Sequence, residues 1–193
     1  WTPAKDPSRI LDIGAGTGLL SLMMAQRFPT AQIWAIECND EAAKECQANV
    51  TLSPWPHIVV VTADIRQWET PEKYDLIISN PPFFSEKTLS PDRVRALSRS
   101  NEHLPFLDLL RCVARLLSPM GLFSVVIPYK EETYFVEIAH HIGLYPTRIL
   151  HVQGTPEAPT KRSLLVFSFQ KTATPLIETL VIEKERHQYT QEY

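Results

Sequence analysis

A strand, a glycine-rich loop and a helix follow one another near the start of the chain, and this order restricts the fold. Arg9–Ile13 is largely apolar and predicts a buried strand, and residues 19–28 carry apolar side chains at helical spacing. Between them the sequence reads D-x-G-x-G-x-G over residues 12–18. Glycines permit a sharp turn there and let backbone N–H groups approach a ligand at the positive end of the helix. The unit predicts an α/β fold with a ligand site at the loop.

The glycine spacing distinguishes this loop from the dinucleotide-binding fingerprint. That fingerprint places Gly or Ala three residues after its second glycine, a position that Leu19 holds here, while the third glycine, Gly18, comes one residue earlier. A hydride-transferring dehydrogenase is therefore disfavoured.

Carboxylates follow the next two predicted strands. Residues 32–36 lead to Glu37, 23 positions after Gly14, where a carboxylate can accept hydrogen bonds from two ribose hydroxyls. Residues 58–62 lead to Asp64, which can accept from an adenine amino group or can cap a turn. Together they predict a nucleoside ligand at the carboxyl edge of a sheet.

A fourth predicted strand, Tyr74–Ser79, ends in Asn80-Pro81-Pro82-Phe83. The prolines stop the strand and stiffen the backbone, which fixes the direction of Asn80. The Asn80 side-chain carbonyl and the Pro81 carbonyl can accept both hydrogens of a planar exocyclic amino group, while Phe83 and Phe84 offer aromatic faces to its ring. A strand-ending turn with a buried Phe is the alternative interpretation.

The remaining elements extend this pattern. Apolar spacing predicts helices over residues 104–117 and 131–143 and a strand over residues 122–127. The strands predicted over residues 145–152 and 163–170 have a connection too short for a crossover helix, so we expect them to be antiparallel. Two more elements are a helix capped by Asp40 that ends near Leu52, and a possible eighth strand over residues 176–182.

Composition limits the class of protein. With 193 residues, 44% hydrophobic and 21% charged, the chain is expected to form one globular domain over residues 1–193, trimmed at both ends. No apolar run is long enough to span a bilayer. Three cysteines without metal-ligand spacing predict reduced packing residues, no metal site and a cytoplasmic location.

Basic side chains are concentrated after the Asn80 motif although the formal net charge is −3. The segment 85–100 lacks an apolar period and is predicted to be a mobile loop over the site. Its cations either contact a phosphate backbone or form an ordinary solvated surface. The basic residues concerned are Lys87, Arg93, Arg95 and Arg99, joined by Lys161 and Arg162 on the later hairpin connection.

Taken together, the glycine loop, Glu37, Asp64 and the Asn80 motif resemble the amino-group-modifying class of S-adenosylmethionine-dependent methyltransferases. More narrowly, residues 11–22, 77–84 and 115–121 are similar to bacterial tRNA(Val) adenine-N6 methyltransferases, which methylate the adenine at position 37. The resemblance implies a Rossmann-like, mostly parallel seven-stranded sheet with one antiparallel strand and helices on both faces. It also implies S-adenosylmethionine as cofactor, tRNA as partner, and a monomer that needs neither metal nor membrane.

The resemblance assigns roles to residues. The expected catalytic residues are Asn80, Pro81, Pro82 and Phe83. The expected cofactor-binding residues are Asp12, Gly14, Ala15, Gly16, Gly18, Glu37, Cys38, Asp64, Ile65 and Asn80. The expected RNA-binding residues are Phe84, Lys87, Arg93, Arg95, Arg99, Lys161 and Arg162.

Several other functions remain open from the sequence. Guanine-N2 methylation of ribosomal RNA and glutamine-N5 methylation of a protein use the same kind of amino-group acceptor pair. Outside this reaction type, an NAD-dependent oxidoreductase or a non-catalytic nucleotide-binding domain are the alternatives. Tryptophan-fluorescence titration with NADH and with S-adenosylmethionine distinguishes the oxidoreductase from a methyltransferase.

Overall fold

The chain alternates strands and helices around one large sheet. The computed structural model describes residues 2–81, 104–185, 187–191 and 193. The strands are β1 (Arg9–Ile13), β2 (Gln32–Glu37), β3 (Val59–Thr62), β4 (Tyr74–Ser79), β5 (Leu117–Pro128), β6 (Tyr145–Gln153), β7 (Arg162–Ser168), β8 (Leu176–Val181), β9 (Glu183–Glu185) and β10 (Gln188–Tyr189). The helices are α1 (Leu19–Arg27), α2 (Asp40–Leu52), α3 (Phe106–Leu116), the 3₁₀ turn Tyr129–Glu131 and α4 (Glu132–Ile142).

The main sheet has the order β3-β2-β1-β4-β5-β7-β6-β8. Strands β1 to β5 are parallel to one another, β7 is antiparallel to β5 and β6, and β8 is parallel to β6. The α/β fold class and the antiparallel strand pair predicted from the sequence are confirmed. The sheet differs from the seven-stranded expectation because β8 adds an eighth strand at its edge.

Two apolar clusters lie on opposite faces of the sheet. Side chains alternate between faces along a strand, so Ile10 packs in one cluster and Leu11 in the other. Helices α1 and α2 cover the first face with Ala25 and Cys46 among their buried residues, and α3 and α4 cover the second. Burial on both faces explains why β1 and β4 are nearly continuous apolar runs.

The start of α2 differs from the sequence-based expectation. Asn39, not Asp40, is the capping residue: its side-chain oxygen accepts hydrogen bonds from the N–H groups of Glu41 and Ala42, both at 3.0 Å. The prediction for Asp40 was therefore wrong by one residue. Both types are good caps, and only the backbone geometry distinguishes them.

The passage from α3 to β5 also differs. Strand β5 begins at Leu117, directly after α3, whereas the sequence predicted a helix through residue 117 and a strand from residue 122. Gly121 permits this path, because a Cβ there would lie 2.9 Å from the Tyr74 carbonyl oxygen. The pairing with β4 shifts register at the same place.

Candidate active site

A cleft of about 300 Å³ lies at the carboxyl edge of the parallel strands. Ligand sites of open α/β sheets lie at this edge because loops from neighbouring strands meet there. The cleft brings together most of the residues predicted from the sequence to surround a ligand. They are Gly14, Gly16, Glu37, Cys38, Asp64, Ile65, Asn80 and Pro81.

The glycine loop turns back against β2. The N–H groups of Gly14 and Ala15 both donate to the Ile36 carbonyl, at 2.9 and 3.1 Å. Gly14 and Gly16 have positive φ angles of 71° and 55°, which favour glycine. A Cβ added at either would meet no atom within 4 Å, so the loop presents bare backbone on this side. Such a surface fits the close approach of a ligand.

Gly18 has a different function in the loop. It precedes α1 with φ 84°, and a Cβ there would lie 2.7 Å from the Cys46 sulfur. The displaced third glycine is thus explained by packing of the loop on α2. Gly18 is not among the residues that line the cleft.

Glu37 has two backbone partners. Its Oε2 accepts from the Gly16 N–H at 2.8 Å and its Oε1 accepts from the Asn39 N–H at 2.9 Å. The residue is 8% exposed and lines the cleft. Each carboxylate oxygen has more than one acceptor site, so these bonds leave capacity for two ligand hydroxyls. The geometry fits the predicted ribose contact and adds a structural role.

Asp12 lies behind the glycine loop with no exposed surface. Its Oδ2 accepts from the Ser21 hydroxyl at 2.7 Å, while its Oδ1 has no hydrogen-bond partner among the described residues. Burial raises the pKa of this carboxyl from 3.8 to about 7. Asp12 and Ala15, both in the predicted cofactor set, are not among the residues that line the cleft and instead support the loop.

Asp64 is joined to Arg66, a residue that the sequence analysis missed. The Arg66 side-chain Nε lies 2.9 Å from each Asp64 carboxylate oxygen, and the backbone N–H of Arg66 donates to Oδ1 at 2.9 Å. Hydrogen bonding by the guanidinium lowers the pKa of the Asp64 carboxyl. Both residues line the cleft. The turn interpretation and the ligand interpretation of Asp64 are therefore compatible, since the carboxylate closes a turn at the cleft wall.

Asn80 and Pro81 directly follow β4 and line the cleft. The Ser79 hydroxyl donates to the Ile13 carbonyl at 2.8 Å and fixes this end of β4 to β1. Asn80 is exposed and Pro81 is buried. The rest of the predicted catalytic and RNA-binding set lies outside the described residues, namely Pro82, Phe83, Phe84, Lys87, Arg93, Arg95 and Arg99.

Cys38 and Ile65 complete the cleft wall. Cys38 is half-buried. Burial is the main cause that raises the pKa of its thiol to about 11, and the negative charge of the neighbouring Glu37 carboxylate is the next. The thiol is therefore neutral at physiological pH. Ile65 is 5% exposed and supplies an apolar surface beside Asp64. This pairing of an apolar wall with an acceptor fits a planar base that carries an amino group.

Lys161 and Arg162 lie at the same edge of the sheet but outside the cleft. Arg162 pairs with Pro128, the last residue of β5, and both basic residues are exposed. Across residues 2–81 and 104–193, apart from 186 and 192, no group of three His, Cys, Asp or Glu side chains could hold a metal ion. No helix in those ranges has the length and apolar character to cross a membrane.

The sequence of the whole chain matches known methyltransferases. Residues 2–124 match the family model of the methyltransferase small domain. A tRNA1(Val) (adenine(37)-N6)-methyltransferase of Flavobacterium psychrophilum is 46% identical over 197 positions, covering 100% of this chain and 84% of that protein. The Bacteroides fragilis protein of the same name is 45% identical, and the alignment covers 100% of this chain and 82% of that protein. The chain belongs to this methyltransferase family.

The family membership agrees with the fold. A predicted O-methyltransferase from Agrobacterium tumefaciens superposes with a TM-score of 0.73 at 20% identity, covering 98% of this chain and 88% of that one. At this identity the likeness supports the fold alone. The family resemblance and Rossmann-like methyltransferase fold inferred from the sequence are confirmed.

Proposed function

We propose that this methyltransferase transfers a methyl group from S-adenosylmethionine to N6 of an adenine in tRNA, at position 37 of tRNA(Val). The observation that carries the proposal is the cleft, which is lined by Asn80 and Pro81 after β4 and by Glu37 and Asp64 at the carboxyl ends of β2 and β3. Relatives that are 45% and 46% identical over the full length of this chain carry the corresponding name.

Cofactor binding is assigned to residues at the tips of β1, β2 and β3. Glu37 accepts from the ribose hydroxyls, and Asp64 with Ile65 surrounds the adenine of the cofactor. The bare backbone of Gly14 and Gly16 lies against the methionine portion. When bound, S-adenosylmethionine supplies a methyl group on a positively charged sulfur.

Asn80 and Pro81 position the substrate amino group. The lone pair of an adenine amino nitrogen is delocalised into the ring, which makes it a poor nucleophile. Acceptance of its two hydrogens by Asn80 Oδ1 and Pro81 O raises the electron density on nitrogen and orients the group. The contribution of the chain is therefore alignment of the attacking nitrogen with the methyl group, without a strong general base.

An adenine within an RNA loop must leave its stack to enter this cleft, at a cost of a few kcal/mol. Phe83 is assigned to stack on the extruded base, and the arginines at 93, 95 and 99 to contact flanking phosphates. Both assignments lie outside the described residues. We further propose that the enzyme acts in the cytoplasm as a monomer.

The test is methylation of two tRNA(Val) transcripts that differ only in having adenine or guanine at position 37. We expect labelling of the adenine transcript alone and N6-methyladenosine as the nucleoside identified by mass spectrometry. Equal labelling of both transcripts would exclude the assigned position. N2-methylguanosine in ribosomal RNA, or methylglutamine in a protein, would identify one of the two alternative amino-group substrates.

A further inference from the structure

Tyr129 is an exposed aromatic residue just after the end of β5. The side chain is 44% exposed although it follows a strand whose last residues, Ile127 and Pro128, are buried. Its backbone N–H donates to the Lys161 carbonyl at 3.1 Å, which fixes the 3₁₀ turn to the start of β7. The proposed chemistry of the cleft does not use this residue.

Partly buried groups hold the Tyr129 ring in place. The ring meets His151 edge to face, with centroids 5.0 Å apart and planes at 84°. His151 Nε2 lies 2.9 Å from Glu132 Oε2, and the Ser163 hydroxyl donates to the same oxygen. His151 and Glu132 are each 19% exposed at the side chain. An exposed ring supported in this way is ordered before any ligand arrives, which lowers the entropic cost of binding.

The position of Tyr129 relative to Asn80 follows from the strand register. Ser79 pairs with Val125 on the neighbouring strand, so Val126 lies opposite Asn80, and Tyr129 follows three residues later, directly after β5. At about 3.3 Å per residue and about 4.8 Å between strands, the two backbones are roughly 11 Å apart. Neighbouring nucleotides of one RNA strand can reach both.

Basic side chains surround Tyr129. Lys130 follows it directly, and Lys161 and Arg162 lie at the start of β7, where Arg162 pairs with Pro128. The side chain of Lys130 is 60% exposed, and its Nζ lies 4.0 Å from Glu131 Oε1. Glu131 is 21% exposed at the side chain, and Glu157 on the hairpin connection is exposed. A third carboxylate, Glu132, is 19% exposed and is bonded to His151 and Ser163. Lys130, Lys161 and Arg162 are exposed, whereas Glu157 is the one exposed residue among these three carboxylates, so the exposed charge around the ring is mainly positive.

We propose that Tyr129, Lys130, Lys161 and Arg162 form an RNA-docking surface on which a base next to the target adenine stacks. An aromatic ring binds any base through its face, and adjacent cations bind the phosphates. The inference rests on the proposed function and adds a second contact point for the single-stranded part of the RNA. The surface orients the loop so that the extruded adenine enters the cleft beside Asn80.

The first test measures binding of an anticodon-arm stem–loop RNA, in the presence of S-adenosylhomocysteine, by fluorescence anisotropy. Tyr129→Leu should raise the Kd for RNA at least about fivefold, because stacking of a base on an aromatic side chain is lost. Tyr129→Phe keeps the ring and should restore binding to within about twofold.

A matched control lies at the opposite edge of the sheet. Tyr145 begins β6 and contacts His140 at 5.5 Å between ring centroids, so it is also a tyrosine beside a histidine. Tyr145→Leu should leave the Kd for RNA unchanged. If Tyr129→Leu and Tyr145→Leu bind RNA as the parent does, the stacking surface does not exist.

The second test separates charge from stacking. Lys161→Glu should weaken RNA binding and reduce the slope of log Kd against log salt concentration by roughly one, since a phosphate contact is lost. Lys171→Glu, an equal charge reversal at the amino-terminal edge, should leave the slope near that of the parent. Equal slopes for Lys161→Glu and the parent would show that Lys161 is only solvated and would overturn its assignment.

These measurements distinguish this inference from the proposed function. If the parent methylates the adenine transcript and Tyr129→Leu matches it in both Kd and KM for RNA, the docking surface fails and the function stands. If the parent labels no tRNA yet RNA binding depends on Tyr129, the proposed reaction fails and the surface stands. A change confined to kcat in Tyr129→Leu would also contradict a docking role.

Discussion

Glu37 Oε2 accepts a hydrogen bond from the Gly16 N–H at 2.8 Å, so the carboxylate at the tip of β2 holds the glycine loop at the tip of β1. The second oxygen accepts from the Asn39 N–H and thereby also fixes the turn into α2. A residue expected only to bind a ligand thus also shapes the site. Substitutions of Glu37 should consequently affect both stability and affinity.

Replacement of Glu37 by Ala should lower the melting temperature and raise the Kd for S-adenosylhomocysteine roughly tenfold or more. The variant removes the acceptor for two backbone N–H groups and the proposed acceptor for two hydroxyls, and charge-assisted bonds contribute ~1.5–3 kcal/mol each. Calorimetry measures both quantities. Glu41→Ala, on the exposed surface of α2, is the control. An unchanged Kd in a folded Glu37→Ala variant would remove Glu37 from the cofactor site.

Asn80→Ala should leave the Kd for S-adenosylhomocysteine nearly unchanged and lower the single-turnover methylation rate on the order of 100-fold. The reason is that Asn80 is assigned to the amino group of the substrate, and loss of a positioned polar group at a reacting centre has an effect of that size. Rapid-quench measurement of labelled tRNA gives the rate. Rates that agree within a few-fold would reduce Asn80 to a turn residue.

Arg66→Met should make cofactor affinity more sensitive to acid. The guanidinium holds the pKa of Asp64 below its usual value of 3.8, so the carboxylate in the parent stays ionised and able to accept a hydrogen bond as the pH falls. Without Arg66 the Asp64 carboxyl protonates at higher pH, and affinity should decline sooner between about pH 5 and pH 3. Calorimetric titration with S-adenosylhomocysteine across this range tests the prediction.

The control for Arg66→Met is Lys44→Met, which breaks an exposed ion pair with Glu41 on α2. Its affinity profile should overlay that of the parent. Coincident profiles for the parent and Arg66→Met would show that the ionisation of Asp64 does not contribute to binding.

Asp12→Asn should flatten the dependence of stability on pH. Below about pH 3 the parent carboxyl is mostly neutral in both folded and unfolded chains. Because its pKa is about 7 in the folded protein and 3.8 when unfolded, ionisation favours the unfolded chain as the pH rises. The free energy of unfolding of the parent should then fall by up to about 4 kcal/mol between about pH 4 and pH 7.

Urea unfolding at several pH values measures this difference between Asp12→Asn and the parent. Glu45→Gln, an exposed neutralisation on α2, should follow the parent curve. If Asp12→Asn also follows the parent curve, the buried carboxyl is not the source of the pH dependence.

The sequence by itself determined the features that depend on neighbouring residues. The strand-loop-helix unit, Glu37 at the tip of β2 and Asn80 at the tip of β4 follow from apolar spacing, glycine and proline, which act over a few residues. The sequence-based prediction of the residue that caps α2 was wrong by one position, because Asn39 and Asp40 are similar caps and only their φ and ψ angles distinguish them.

The tertiary structure alone decided which distant groups meet. Gly18 is required because Cys46, from another helix, packs against it, and no local pattern contains that contact. Tyr129 lies beside Lys161 because β7 inserts between β5 and β6, which joins segments far apart in the chain. Strand order is set by the burial of whole faces of the sheet rather than by any short segment, so such pairings are determined only when the complete core assembles.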